Sequence, residues 1–179
     1  SIPFYARNIL VLLPTLATLY RHRTDRFLTW GEVTYLAIIN GWLPVLTQQS
    51  GIIVLDQGPV YMVSELLRFG PQALMGPAGK KWWNATCKTW AGGLDLIVYL
   101  DAPDTTLVSR ILNRKRRHGI KEHDNDWATA FLARSRWALD KVLSGIALFK
   151  PELKIIRMDT SVMSLDETLD SILAVMKEP

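Results

Sequence analysis

Three short runs of apolar residues along the chain each end in an aspartate and are followed by turn-forming residues. These runs span residues 51–56, 95–101 and 153–159. A continuous run of this length, rich in β-branched residues, is typical of a buried parallel strand. Because helical patterns separate the runs, we predict an α/β fold with a parallel sheet. Ligands bind beyond the carboxyl ends of such strands, where Asp56, Asp101 and Asp159 fall.

Apolar positions elsewhere recur at helical spacing. Helices are predicted within an apolar segment at 7–49 and over 60–69, 80–91, 105–118 and 127–143. A capping box, Ser164 to Glu167, opens a last helix. Its apolar stripe consists of Leu165, Leu169, Ile172, Leu173 and Met176. The 179 residues contain no internal repeat and no low-complexity linker, so we expect one domain over 1–179.

The positive charge of the chain is concentrated in one segment. There are 21 Lys and Arg residues against 17 Asp and Glu, a net charge of +4. Residues 105–121, here called the basic segment, contain six of the cations and no acid. Without those six, 15 basic residues stand against 17 acidic ones, which is a net charge of −2. The question is therefore which anion this segment binds.

Three interpretations of the basic segment remain open. Arg110, Arg114 and Arg117 are spaced at i, i+4 and i+7, which would place them on one helix face. Guanidinium groups suit phosphate oxygens, so a phosphate ligand is one interpretation; a solvated basic face and a nucleic-acid patch are the others. The absence of acids favours the phosphate ligand, because solvated helices usually interleave charges of both signs. The net acidic remainder argues against a broad nucleic-acid footprint.

Other chemistry-bearing residues have two readings each. Asp56 would orient Mg²⁺ or accept a proton from a hydroxyl, or it would form a turn or cap a helix. The three tryptophans at 82, 83 and 90 would stack on a planar ligand or fill the core, and the core is favoured. Cys87 is interpreted as a small core residue. The sequence contains no zinc-ligand spacing and no Ser/His/Asp signature.

Targeting signals give little direction. The first residues lack the basic region and cleavage site of a signal peptide, and a lone cysteine fits a reducing compartment. Apolar stretches at 9–20 and 33–46 are shorter than a membrane span and are interrupted. We therefore expect a cytoplasmic protein with no membrane association.

The quoted residues resemble a known family. The stretches IIVLDQGP, LDLIVYLDAPDTTLVSRILNRKRRH and IIRMDTSVMSLDETLDSIL are similar to thymidylate-kinase-like and deoxynucleoside-kinase-like P-loop phosphotransferases. The resemblance covers most of 51–176, and its strongest element is D-x-P-x-x-x-L-x-x-R-I-x-x-R-x-R. It implies a three-layer sandwich with a central parallel sheet, and a basic lid over 110–124 that closes on ATP.

The resemblance also implies roles for individual residues. The reaction would transfer the γ-phosphoryl group of ATP, with Mg²⁺, to a small hydroxyl acceptor such as a nucleoside or nucleotide. Asp56 would act on the acceptor hydroxyl or on Mg²⁺, and Arg114 and Arg116 on the transferring phosphates. The resemblance also assigns Arg110, Asp159, Thr160 and Ser161 to the nucleotide. From their own positions in the sequence, Arg117 is added to the nucleotide site, and Gln57 and Trp83 are candidate acceptor contacts. Small molecules rather than nucleic acid are the expected partners, and a homodimer is left open.

Two departures from the family pattern change the expectation. Asp56 is followed by Gln57 where thymidylate kinases carry Arg, which makes a nucleoside monophosphate a doubtful acceptor. No G-x-x-x-x-G-K-[ST] motif occurs anywhere in the sequence. We expect an N-terminally incomplete portion of a kinase-like protein with little or no kinase activity. The alternative is a non-catalytic nucleotide- or protein-binding module on the same scaffold.

Overall fold

The structure, a computed structural model, describes residue 17 and the ranges 42–43, 45–56, 58–69, 77–115 and 118–177. The helices in these ranges are α1 (Pro59–Phe69), α2 (Pro77–Ala91), α3 (Asp104–Asn113), α4 (Asn125–Ala147) and α5 (Leu165–Lys177). The strands are β1 (Leu96–Asp101) and β2 (Lys154–Asp159), and a 3₁₀ turn covers Gly119–Glu122.

Two of the three predicted strand runs form a parallel sheet. Strands β1 and β2 pair in register, from Leu96 opposite Lys154 to Asp101 opposite Asp159. Both begin within one residue of their predicted starts and end at the predicted aspartates. The predicted mixed α/β class with a parallel sheet flanked by helices is confirmed for this two-stranded sheet.

The prediction of a third strand, at 51–56, is wrong. Residues 51–55 have no regular secondary structure, and Ile52 and Val54 are largely exposed. A β-branched run forms a strand only when its backbone groups pair with a neighbour, so its preference depends on context. Consequently Asp56 does not end a strand; it lies exposed in a turn.

The basic segment does not form the single helix that its spacing predicted. Helix α3 ends at Asn113, and Arg114 is already extended, with φ −70° and ψ 140°. The four successive cations at 114–117 have no acidic residue four positions away. A helix that continued through them would therefore lack stabilising i,i+4 ion pairs. Arg110 and Arg114 therefore do not share a helix face. Arg116 and Arg117 lie outside the described residues.

Backbone contacts divide the chain into two compact units. The first comprises Ser1–Gly93 with Trp137–Pro151, and the second comprises Leu94–Arg136 with Glu152–Pro179. Helix α4 contributes its N-terminal half to the second unit and its C-terminal half to the first. One domain over 1–179 stays a prediction.

The described core of the first unit is built on tryptophan packing. Trp82, Trp90 and Cys87 of α2 are buried, which confirms the core interpretation for these three residues. Helix α4 adds Ala138, Val142 and Ile146, and α1 adds Val63 and Leu66. Gly145 of α4 lies against α2, because a Cβ built there would be 2.9 Å from the Cys87 Sγ.

The second unit has a core cluster beneath the basic segment. Ile120 of the 3₁₀ turn is buried against Ala128 and Leu132 of α4. Half-buried apolar side chains of α3, including Leu107 and Ile111, pack on this cluster. The C-terminal end of the basic segment is thereby anchored to both helices.

Most of the predicted helical segment at 7–49 lies outside the described residues. Its described end is helical at Trp42, Leu43, Val45 and Leu46, and the amide of Thr47 donates to the carbonyl of Leu43 at 3.0 Å. Within the described ranges, no helix combines the length and apolar character that crossing a membrane requires.

Candidate functional site

The carboxyl ends of the two strands are joined beyond the last paired residues. Asp101 and Asp159 lie opposite each other in register. The next residue, Thr160, donates from its amide to the carbonyl of Asp101 at 2.8 Å and from its hydroxyl at 2.9 Å. The loop that leaves β2 is therefore held against the end of β1.

Arg110 of α3 binds this same loop. Its two terminal nitrogens donate at 2.7 Å to the hydroxyl oxygen and to the carbonyl of Thr160. This fork engages Thr160 on both its backbone and its side chain, as a planar guanidinium group does well. The structure thus brings together two residues that the resemblance assigned to nucleotide binding, and both contacts are exposed to solvent.

Asp159 and Ser161 complete the loop. The amide and hydroxyl of Ser161 donate to Asp159 Oδ1 at 2.8 and 2.6 Å. These bonds lower the pKa of Asp159, with a smaller contribution from the positive charge of Arg110. Asp159 is therefore a charged carboxylate at neutral pH, and its second oxygen has no hydrogen bond to Ser161.

Arg136 of α4 is a residue that the sequence did not single out. It donates to Asp101 Oδ2 at 2.8 Å, to Asp101 Oδ1 at 3.2 Å and to the carbonyl of Ala102 at 2.8 Å, and it also binds Asp104. Hydrogen bonding to Asp101 raises the pKa of Arg136 above its already high ordinary value. The sequence offers only Asp140, four residues on, as a local partner, and gives no sign of a partner 35 residues away.

Asp104 is a residue type that commonly caps helices, but it does not cap α3. The N-cap position is Pro103, and no side chain caps the first turn of α3. Asp104 lies inside that turn with its carboxylate bound to Arg136. The negative charge of Asp104 still stabilises α3, because it lies near the positive end of the helix dipole.

An open pocket of about 460 Å³ lies at this sheet edge. Its lining is Tyr99, Asp101, Ala102, Pro103, Asp104, Arg136, Arg157, Met158 and Asp159. The guanidinium carbon of Arg157 lies 5.2 Å from the centre of the Tyr99 ring, a cation–π pair between neighbouring strands. The pocket presents carboxylates and guanidinium groups side by side, which suits a polar ligand with both donors and acceptors.

A stack of rings follows the basic segment. His123 stacks on Trp127 with ring centres 4.0 Å apart, and Trp127 stacks on Phe131 at 5.1 Å. The carboxylate of Asp124 accepts from the amide of Trp127 at 2.8 Å, which caps the start of α4. The chain after the basic segment is therefore fixed on α4.

The other predicted site residues have different positions. Asp56 and Trp83 belong to the first unit, where Trp83 is half-buried and its indole nitrogen would lie 3.2 Å from a Cβ at Gly145. Arg114 is exposed, and its carbonyl accepts a hydrogen bond from Lys121. Gln57, Arg116 and Arg117 lie outside the described residues.

The predicted Mg²⁺ site has one described candidate ligand, the exposed carboxylate of Asp56. Among the described residues, no group of three or more His, Cys, Asp or Glu side chains is placed to hold a metal ion. Magnesium commonly uses one or two carboxylates together with waters and substrate phosphates. Asp56 fits such a role only with a bound phosphate compound, so Mg²⁺ binding stays a prediction.

Comparisons of the chain with protein-family models, with curated proteins and with solved structures gave no match.

Proposed function

We propose that the chain is part of an ATP-dependent phosphotransferase of the kinase-like class, acting on a small hydroxyl compound such as a nucleoside or nucleotide. The observation that carries the proposal is the fork from Arg110 to Thr160 at the carboxyl end of the sheet. It joins the start of the basic segment to the loop after β2, the pairing of elements that the resemblance implies for nucleotide binding. The finer three-layer architecture and a cytoplasmic location belong to the same proposal.

The chemistry of phosphoryl transfer suits this arrangement. Such reactions depend on positioning and on neutralising charge spread over phosphate oxygens, which fixed arginines do well. Six cations with no acid supply that charge in the basic segment. In this scheme Arg110 holds the nucleotide, with Arg117 and the loop Asp159–Ser161 beside it. Arg114 and Arg116 then neutralise the transferring phosphates.

The acceptor side of the proposal rests on Asp56, Gln57 and Trp83. Asp56 is exposed and free to receive a proton from an acceptor hydroxyl, or to bind Mg²⁺ when ATP brings the metal with its phosphates. Gln57 follows it and would contact the acceptor. Trp83 is half-buried, so its part in acceptor binding would use the remaining exposed ring surface.

The second candidate is a non-catalytic module that binds a nucleotide or a protein. The observation that favours it is the absence of G-x-x-x-x-G-K-[ST] from the sequence. That motif supplies the backbone cradle and the lysine for the β- and γ-phosphates. The chain alone is therefore proposed to bind ATP with little or no turnover.

Calorimetric titration of the chain with Mg·ATP tests the proposal. Arg110→Ala removes the fork on Thr160, and Arg114→Ala removes an exposed cation of the basic segment. Arg134→Ala is the matched control, because Arg134 is also exposed and lies on α4 outside that segment. We expect Mg·ATP binding that weakens about tenfold in the first two variants, as loss of a charged hydrogen bond predicts, and is unchanged in the control.

The outcomes separate the two candidates. If no heat of binding is seen up to millimolar Mg·ATP, the phosphotransferase and the nucleotide-binding module are both excluded. The protein-binding module then remains. Phosphoryl transfer to any of a panel of nucleosides, in a coupled assay, would exclude the non-catalytic module, whereas binding without transfer is expected of both candidates for this chain. Equal affinity in all variants would place the nucleotide away from the basic segment and contradict the proposed site.

A further inference from the structure

Asp101, the last residue of β1, is shared by two sets of contacts. Its carbonyl accepts from the amide of Thr160 at 2.8 Å and from the Thr160 hydroxyl at 2.9 Å. Its carboxylate accepts from Arg136 at 2.8 and 3.2 Å, and from the amide of Ala102 at 2.9 Å. One residue thus joins the loop after β2 to helix α4, the loop through its backbone and the helix through its side chain.

Arg136 also holds the start of α3, because it donates to Asp104 in the first turn of that helix. Further along the same helix, Arg110 donates to Thr160 at 2.7 Å through each of its terminal nitrogens. Since Thr160 is bound to Asp101 and Asp101 to Arg136, the contacts close into a ring. This ring fixes α3 and the loop after β2 relative to each other.

Apolar packing leaves the direction of α3 only partly fixed. Its first turn has no side-chain cap, and none of its ten residues is fully buried. The apolar side chains that it packs on the core cluster, among them Leu107 and Ile111, are only half-buried. Polar contacts therefore have a larger share in holding this helix. The bond from Arg136 to Asp104 constrains its start, and thereby the place of Arg110 six residues later.

Arg136 itself has little capacity left for a ligand. A guanidinium group has five N–H donors, and four of those of Arg136 are used by two carboxylates and one carbonyl of the sheet edge. We infer that Arg136 is a positioning residue, which sets the fork from Arg110 to Thr160 before a ligand arrives and touches no ligand itself. The inference rests on the proposed function for the identity of that ligand as a nucleotide.

Hydrogen exchange of the Thr160 amide, followed by NMR, tests the positioning without any ligand. Arg136→Met is expected to speed this exchange roughly tenfold or more, because loss of the charged hydrogen bonds releases the end of β1. The amide of Thr168, which donates to the Ser164 carbonyl at 3.0 Å in α5, is the internal reference and should change much less. Arg134→Met is the matched control, because Arg134 is exposed on the same helix, and it should leave both amides unchanged.

A second variant separates positioning from a simple effect of charge. Arg136→Met leaves the carboxylate of Asp104 without its cation, which by itself lowers stability. Adding Asp104→Asn removes that charge, so urea denaturation should show part of the stability recovered. It does not rebuild the bridge from α4 to α3, so exchange at Thr160 should stay fast. This double variant also takes the place of Arg136→Met if the single change is too unstable to fold.

Calorimetric titration with Mg·ATP tests the effect on the ligand. Arg136→Met is expected to bind about tenfold more weakly, and adding Arg110→Ala should weaken binding little further, because both changes act on one fork. If the unchanged chain binds no Mg·ATP, the proposed function fails, and the exchange measurement alone decides the positioning.

Three results would overturn the inference. One is equal acceleration of exchange at Thr160 and Thr168, which means a general loss of stability. Another is slow exchange at Thr160 regained when Asp104→Asn is added, which means that only the unpaired charge mattered. The third is full Mg·ATP affinity of Arg136→Met when the unchanged chain binds the nucleotide.

Discussion

Arg136 makes hydrogen bonds to two carboxylates and one carbonyl at the end of β1. The arginine is about one-third exposed, and so are Asp101 and Asp104, which leaves all three partly desolvated. A partly buried carboxylate without its cation is costly, because water replaces the lost bonds only in part. Arg136 therefore neutralises two of the acids at this sheet edge, Asp101 and Asp104.

Replacing Arg136 with Met should lower the free energy of unfolding by about 1–3 kcal/mol. The methionine keeps much of the side-chain volume but leaves Asp101 and Asp104 without a cation. Urea denaturation gives the measurement, and Arg134→Met on the exposed side of the same helix is the control. Equal stability of the two variants would mean that the ion pairs contribute nothing measurable.

Cys87 lies in the core of the first unit, where burial raises its pKa from 9.0 to about 12. The thiol should therefore react slowly with a disulfide reagent at pH 8 in the native protein and fast in urea. In the unfolded chain the thiol ionises near pH 9. Above that pH its ionisation stabilises the unfolded state, and unfolding becomes more favourable. Stability should fall by up to about 1.4 kcal/mol per pH unit between pH 9 and pH 12.

Urea denaturation at pH 8, 9.5 and 10.5 measures this slope. Lysines and tyrosines titrate in the same range, so the quantity of interest is the difference between the unchanged protein and Cys87→Ala. That variant removes the thiol and its titration together. If both proteins lose stability equally as the pH rises, the buried thiol is not the cause.

At the scale of elements, short-range chemistry was the most predictable part of the fold. The capping box before α5 is present in both directions: Ser164 donates its amide to Glu167 at 2.7 Å, and Glu167 donates its amide to the Ser164 hydroxyl at 3.2 Å. The hydrogen bond from the Ser164 amide, followed by the Ser164 side chain, lowers the pKa of the Glu167 carboxylate. Any stability that this carboxylate adds is thus present above pH 4.5 and lost as the pH falls below it.

Contacts between residues far apart in the sequence could not be predicted. The runs that form β1 and β2 became strands because each is the partner of the other, with all six residue pairs in register. The run at 51–55 is also rich in apolar β-branched residues, yet it is irregular and mostly exposed. Similarly, the aspartates at the sheet edge were predictable from their positions, whereas their partner Arg136 comes from a helix 35 residues away.

Gly145 shows how one residue controls the packing of two helices. An exposed Gly→Ala change in a helix usually adds about 1 kcal/mol of stability. At Gly145 the added Cβ would lie 2.9 Å from Cys87 Sγ and 3.2 Å from Trp83 Nε1, so neighbouring side chains must move. Overpacking costs roughly 1–3 kcal/mol, and we expect Gly145→Ala to be destabilised by about 1 kcal/mol overall.

The neighbouring change Ser144→Ala gives the control for that prediction. Ser144 is exposed on the same turn of α4, and its substitution should alter the free energy of unfolding by less than about 0.5 kcal/mol. Thermal or urea unfolding compares the two variants directly. A stabilised Gly145→Ala would mean that α4 and α2 have room to separate without loss.

At the scale of the whole molecule, charge is the property that the sequence described best. The +4 net charge arises from a body of −2 and a basic segment of +6. The structure gives part of that segment a local partner, since Arg110 binds Thr160 and Lys121 binds the carbonyl of Arg114. The rest of the chain has no excess of cations that would extend this positive surface along a nucleic acid.

This distribution predicts how the protein responds to nucleic acid. A binding site for duplex DNA that used all six cations would release about five counterions, giving a slope near −5 in a plot of log affinity against log salt. Arg110 and Lys121 already bind groups of the protein, and the rest of the chain has a net charge of −2, so we expect fewer than six cations to contact the duplex at once. We expect any DNA binding seen at 50 mM salt to be lost by 150 mM.

Fluorescence anisotropy with a labelled 20-base-pair duplex measures the affinity and its dependence on salt, with Arg114→Ala as the comparison. Submicromolar binding at 150 mM salt with a slope near −5 would contradict a small-anion site and make nucleic acid the partner of the basic segment.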